Sequence, residues 1–193
     1  FLVGAALTDG HHDVMLFSDG GKAVRFDEDD VRAMGRNARG VRGMMLEDGQ
    51  SVIAMLVAED ETQSVLTATE NGYGKRTSIV EYTRHGRGTK GMIAIQQSER
   101  NGKVVAATLV HADDEIMLIT DKGVLVRTRV SEVRELGRAT QGVTLIALDD
   151  GSKLSGLQRI VENDANGDAA EAGEGAAGEG ERHRPAHLPE VRL

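Results

Sequence analysis

Arginine and glycine recur in this chain at a fixed interval, where a nucleophile or a catalytic acid does not. Arg25, Arg76 and Arg127 are spaced by 51 residues, and so are Arg36, Arg87 and Arg138. Gly21, Gly72 and Gly123 keep the same interval, as do Gly35, Gly86 and Gly137, and Gly40, Gly91 and Gly142. The last two glycine columns bracket a loop of the form Gly-Arg-x-x-(basic or Gln)-Gly, at 35–40, 86–91 and 137–142. Small residues let such a loop bend tightly and turn backbone N–H groups toward an anion. Cations at one phase of a repeat fall on one edge of successive units, a spacing suited to duplex phosphates and carrying no sequence code.

The candidate phosphate-binding residues fall into two sets. On strands they are Lys22, Arg25, Lys75, Arg76, Lys122, Arg127 and Arg129. On the loops they are Arg36, Arg39, Arg42, Arg87, Lys90 and Arg138, with Arg84 and Arg134 nearby. The competing reading is a solvated strand face with ordinary surface ion pairs, which contribute little. The phase-locking of two arginine columns weighs against it.

Other groupings carry less. His11-His12-Asp13 is a run of adjacent residues in a turn, a poor geometry for chelation, so no metal is expected. Asp27-Glu28-Asp29-Asp30 reads as a solvated acidic loop, since its counterparts at 78–81 and 129–132 lack the cluster. Tyr82 aligns with Val31 and Val133 and is expected in the core or at an edge. No Ser/His/Asp arrangement recurs, and no Walker-type phosphate loop is present, so no catalytic residue and no cofactor site is expected within this chain.

The elements that position these residues are strands. Val14 to Phe17 is a continuous apolar run, Asp19-Gly20-Gly21 a turn, and Lys22 to Phe26 an alternating strand. Gly40 to Leu46 and Val52 to Val57 complete the pattern, and Phe1 to Leu7 aligns with the last of these. Four short strands per repeat, with no sustained helical periodicity, predict an all-β, propeller-like array of four-stranded blades. The repeats run over about 1–51, 52–102 and 103–153, with a closing strand at 153–160. Three blades starting on a strand look like part of a longer array.

Residues 161–193 form a separate Gly/Ala/Glu-rich segment. Their few large apolar residues cannot offset the entropy of ordering, which predicts a disordered acidic tail. The chain of 193 residues has a net charge of −8. Much of that charge sits in the tail, which leaves the repeats near neutral, and local clustering decides what a surface attracts. There is no Cys, which removes disulfides and thiolate metal sites and fits a cytoplasmic setting. The five aromatic residues are too few for base stacking on single strands. No apolar run is long enough for a membrane helix.

A resemblance rests on these motifs in order: Val14 to Ser18, Asn71-Gly72-Tyr73-Gly74-Lys75-Arg76-Thr77, Leu125 to Glu132, Gly137-Arg138-Ala139-Thr140-Gln141-Gly142-Val143, and Gly156 to Ile160. Residues 1 to about 160 resemble the C-terminal domain of the DNA gyrase A protein. The resemblance implies a six-bladed β-pinwheel whose blades exchange strands and whose rim wraps duplex DNA for ATP-dependent negative supercoiling. It implies the gyrase B protein and the rest of the A protein as partners in a heterotetramer. ATP and Mg²⁺ are then bound by other domains, and the location is cytoplasmic and chromosome-associated. The family's Gln-Arg-Arg-Gly-Gly-Lys-Gly heptapeptide is absent, and the three Gly-Arg loops resemble degenerate counterparts of it. The homologous chain of topoisomerase IV and a protein-interaction propeller are the alternatives.

Overall fold

The strands of one repeat are shared out between neighbouring sheets. The computed structural model describes residues 2–161; the expected acidic tail, from 162 onward, lies outside the described residues. Each repeat opens with an antiparallel hairpin: β1 (Asp13–Ser18) with β2 (Lys22–Asp27), β4 (Ser64–Thr69) with β5 (Tyr73–Ser78), and β8 (Glu115–Thr120) with β9 (Leu125–Arg129). A single 3₁₀ turn follows each hairpin, at Glu28–Asp30, Ile79–Glu81 and Val130–Glu132. The acidic run therefore starts a turn: Asp27 caps it by accepting from the Asp29 N–H.

Long strands β3 (Val52–Ala58), β7 (Val104–Val110) and β11 (Leu154–Ile160) pair antiparallel with the first strand of the preceding hairpin, each through a register shift near its start. Two short strands cross between repeats. β6 (Met92–Ile93) pairs with Lys22 and Ala23 of β2, and β10 (Val143–Thr144) pairs with Tyr73 and Gly74 of β5. The sheets are thus β3-β1-β2-β6, β10-β5-β4-β7 and β11-β8-β9. Every strand pairing within them is antiparallel, and among the described residues no helix is long and apolar enough to cross a membrane.

Each sheet borrows its outer and crossing strands from downstream, the exchange that the resemblance implies, so a sheet and a repeat are different stretches of chain. Two sequence expectations are corrected. The third sheet has three strands among the described residues, not four. Gly40–Leu46 and residues 2–7 are not strands; Met44 makes only an isolated bridge to Thr89. The physical reason is common to both segments. Val41 lies one repeat before Met92 and residues 2–7 one repeat before β3; Met92 and β3 pair with the earlier hairpin β1-β2, and among the described residues no hairpin precedes these two segments.

Apolar residues fill the spaces between sheets. Met15, Phe17 and Ala23 of the first sheet meet Val65, Ile79 and Tyr82 of the second. Leu66, Ala68 and Val110 meet Ile116, Leu118 and Val130 of the third. Alternation along β4 sends Val65 to one interface and Leu66 to the other, so this strand is buried on both faces. Tyr82 packs edge-on to Phe17, ring centroids 6.0 Å apart, and burial raises its phenol pKa. Val133 of the same column is also buried, whereas Val31 is exposed.

Candidate nucleic-acid interface

The strand arginines are drawn inward by carbonyl groups of the next repeat. Arg25 on β2 is only 7% exposed. Its Nε lies 2.6 Å from the Asp13 carboxylate, and its Nη1 donates to the carbonyls of Ile79 at 3.0 Å and Tyr82 at 3.1 Å. One repeat later the Arg76 Nε donates to the Val133 carbonyl at 2.9 Å, and its Nη1 lies 3.7 Å from Glu135. A buried guanidinium needs this many partners, since an unpaired charge inside costs several kcal/mol. The expectation that Arg25 and Arg76 stand on an open rim is therefore corrected. Arg127 keeps the part of the pattern internal to a hairpin, with Nε 2.7 Å from Glu115 and half its side chain exposed.

Lys75 departs from its expected place in the same way. It is fully buried on β5, and its ammonium donates to the carbonyls of Gly137, at 2.5 Å, and Arg138. Burial pushes its pKa down to about 8, against the pull of the Glu81 carboxylate and with a smaller push from Arg138.

The loop arginines reach back toward the preceding repeat. The Arg87 Nε donates to the Asp30 carbonyl at 2.9 Å and its Nη1 to the Arg42 carbonyl at 3.2 Å. The Arg138 Nη1 donates to the Ile93 carbonyl at 2.8 Å, while its backbone N–H donates to Glu81 at 3.1 Å. Neither guanidinium is an open anion site. The loop glycines serve the same contact: Gly142 has φ +81°, and a Cβ there would lie 2.6 Å from the Gly74 carbonyl oxygen.

Other cations remain open to a ligand. Arg36, Arg39, Arg42 and Lys90 are exposed and make no side-chain hydrogen bond or ion pair among the described residues. Lys22 is half-buried on β2. Lys122 donates to the Asp150 carbonyl at 3.1 Å, and Arg129 is 72% exposed, 4.0 Å from Glu115. Arg39 and Lys90 occupy one column of the repeat, so the structure leaves one phase-related basic pair in solvent. Sequence reasoning passed over Arg100, whose guanidinium lies 4.6 Å from the Tyr73 ring centre, and the exposed Lys103. Neither belongs to a recurring column, and the adjacency of Arg100 to Tyr73 arises only through folding.

The structure draws together a different set of candidate metal ligands from His11-His12-Asp13. Asp13 is engaged by Arg25, and by Arg84 at 2.8 Å. Asp9, His12 and Glu28 bring ligand atoms within 4.8 Å of one another. Glu28 Oε1 already accepts the backbone N–H groups of Gly10 at 2.9 Å and His12 at 2.7 Å, which gives the carboxylate a loop-closing role.

Comparison with known proteins gives a consistent set of relatives. A family model described as DNA gyrase C-terminal domain, beta-propeller, matches residues 12–59, 63–111 and 114–160. Each matched segment holds one hairpin and the long strand that pairs with it. The chain is 56% identical over 161 residues to the DNA gyrase A protein of Pseudomonas aeruginosa, covering 83% of this chain and 17% of that protein. It is 53% identical to the DNA gyrase A protein of Escherichia coli K12 over the same length, covering 18% of it. The chain thus spans less than a fifth of the length of these relatives. A solved gyrase A C-terminal domain superimposes with a TM-score of 0.73 at 30% identity, covering 78% of this chain and 51% of that one. The C-terminal domain of DNA topoisomerase IV shares the fold, with a TM-score of 0.76 at 24% identity, covering 80% and 48%.

Proposed function

The chain belongs to the DNA gyrase C-terminal β-propeller family, and on that premise we propose that it is the DNA-wrapping part of a gyrase A protein. It binds duplex DNA through its exposed cations, without regard to sequence, and presents a bent segment to the strand-passage machinery of an ATP-dependent type II topoisomerase. Its partners are then duplex DNA, the remainder of the A protein and the gyrase B protein, in the cytoplasm and on the chromosome. ATP and Mg²⁺ belong to other domains of that assembly.

The observation that carries this reading is the open set Arg36, Arg39, Arg42 and Lys90 on a family-matched scaffold whose recurring Arg25, Arg76, Arg87, Arg127 and Arg138 are occupied. Bending a duplex of 20–30 base pairs costs on the order of 1–6 kcal/mol, which several phosphate contacts together must offset. Each contact releases about 0.9 counterion from B-form DNA. Replacing Arg39, Arg42 and Lys90 together with alanine is expected to weaken binding equally on unrelated sequences. The slope of log affinity against log salt is expected to fall by about 2 to 3. Titration of two unrelated linear duplexes at several salt concentrations measures both quantities. An unchanged slope in a folded variant removes these residues from the interface.

A further inference from the structure

Two reciprocal arginine ties recur at both joints between repeats, with the same offsets along the chain. The strand arginine reaches 57 residues forward: Arg25 to the Tyr82 carbonyl and Arg76 to the Val133 carbonyl. The loop arginine reaches 45 residues back: Arg87 to the Arg42 carbonyl and Arg138 to the Ile93 carbonyl. The same two columns also meet at an offset of 57, through different donors: the Arg87 guanidinium donates to the Asp30 carbonyl, and the Arg138 backbone N–H donates to the side chain of Glu81, one repeat after Asp30. Each joint is therefore closed by one guanidinium from each side. The acceptors are mostly backbone carbonyls, so the ties grip the frame of the neighbouring repeat and tolerate changes in its side chains.

A guanidinium is planar, with donors in a fixed fork, and two acceptors on one fork define direction as well as distance. At the first joint Arg25 and Arg87 each hold two carbonyls, and at the second Arg76 holds the Val133 carbonyl and Glu135 while the Arg138 guanidinium holds the Ile93 carbonyl. Arms acting in opposite senses across one joint restrict the angle between adjacent sheets. That angle governs how a stiff duplex must bend to touch cations on successive repeats.

We propose that Arg25, Arg76, Arg87 and Arg138 are positioning residues that hold the angle between successive sheets and so set the curvature imposed on bound duplex DNA, while neighbouring exposed cations contact phosphate. The proposal rests on the wrapping function above and assigns a different task to the columns that recur most strictly. It accounts for arginine, and not lysine, at Arg25 and Arg87, where one guanidinium meets two carbonyls. A phosphate contact tolerates either residue, but a two-acceptor fork does not.

Arg87 and Lys90 test it directly, because they lie three residues apart on one loop and carry the same charge. Arg87→Gln, Arg87→Lys, Lys90→Gln and, as a second joint, Arg76→Gln are placed in the full-length protein. Three quantities are read. These are the melting transition of this domain, the salt slope of duplex binding, and the linking-number change fixed when ligase closes a nicked plasmid with saturating protein bound.

Both Arg87 variants and Arg76→Gln are expected to lower the melting transition by about 2–4 °C per joint weakened. They are also expected to keep the wild-type salt slope and to shrink the linking-number change. Lys90→Gln is expected to lose about 0.9 from the slope with melting unchanged. Wild-type behaviour of Arg87→Lys in linking number overturns the proposal, as does a slope loss of about 0.9 in Arg87→Gln with melting intact. A wild-type protein that leaves the linking number unchanged overturns the wrapping reading and the curvature role together. The melting comparison of Arg87→Gln with Lys90→Gln then still decides whether the tie exists.

Discussion

Lys75 is the residue at which burial and charge conflict most plainly. Its column holds Val24 in the first repeat and Val126 in the third, so the fold accepts an apolar side chain there. Lysine instead brings an ammonium to two loop carbonyls, fully buried, with a pKa pushed down to about 8 from 10.5. Between those two values the unfolded chain holds the proton that the folded chain releases. Unfolding takes up a proton in that window, so stability rises with pH from about 8 to about 10.5. Below pH 8 lysine is charged in both states and its contribution is at its least favourable. Relative to Lys75→Met, the wild-type chain is expected to gain about 2–3 kcal/mol across this interval. Denaturant titrations of both proteins at about pH 7, 9 and 10.5 check it. A parallel pH response in the two proteins would place Lys75 in water.

The joint between sheets is the element that the recurring glycines serve. Gly142 has φ +81°, and a side chain there would meet the Gly74 carbonyl of the preceding repeat; Gly40, with φ +79°, has nothing within 4 Å of the corresponding point. Both alanine variants incur the left-handed backbone cost of about 1–2 kcal/mol, but only Gly142→Ala must also push two strands apart. Gly142→Ala is expected to destabilise the domain by at least about 1 kcal/mol more than Gly40→Ala, as measured by chemical denaturation. Equal losses would mean that backbone conformation alone explains the column. The hairpins are legible in the sequence, because apolar runs, Gly-rich turns and alternation are local signals: β1, β2, β4, β5, β8 and β9 fall where the pattern places them. Crossing strands β6 and β10 are not, since two residues leave no periodicity and their partners lie in another repeat. The arginine columns are legible as constraints but not in kind. Arg25 would recur at this interval whether it met a phosphate or the Tyr82 carbonyl, and only the fold separates the two.

For the repeats as a whole, resistance to opening follows from how many faces each sheet has covered. The second sheet lies between two apolar clusters, and β4 has five of its six residues buried, with β5 and β7 hydrogen-bonded on either side. The third sheet ends at β9, an edge strand in that sheet with no buried residue, where Val124 and Leu125 are 50% and 60% exposed. An edge strand can separate without breaking the core, whereas β4 opens only when both interfaces part. Amide hydrogen exchange is therefore expected to be slowest at Val65 to Ala68, near the limit set by global unfolding, and faster by orders of magnitude at Val126 to Arg129. The same ordering should survive the addition of duplex DNA if binding uses the cations of the loops. Selective protection of β9 by DNA would instead put Arg127 and Arg129 at the contact and shift the interface toward the third sheet. Residue-resolved exchange with and without a duplex of about 30 base pairs, long enough to bend, distinguishes the two, because β4 reports on stability alone while β9 reports on what covers its edge.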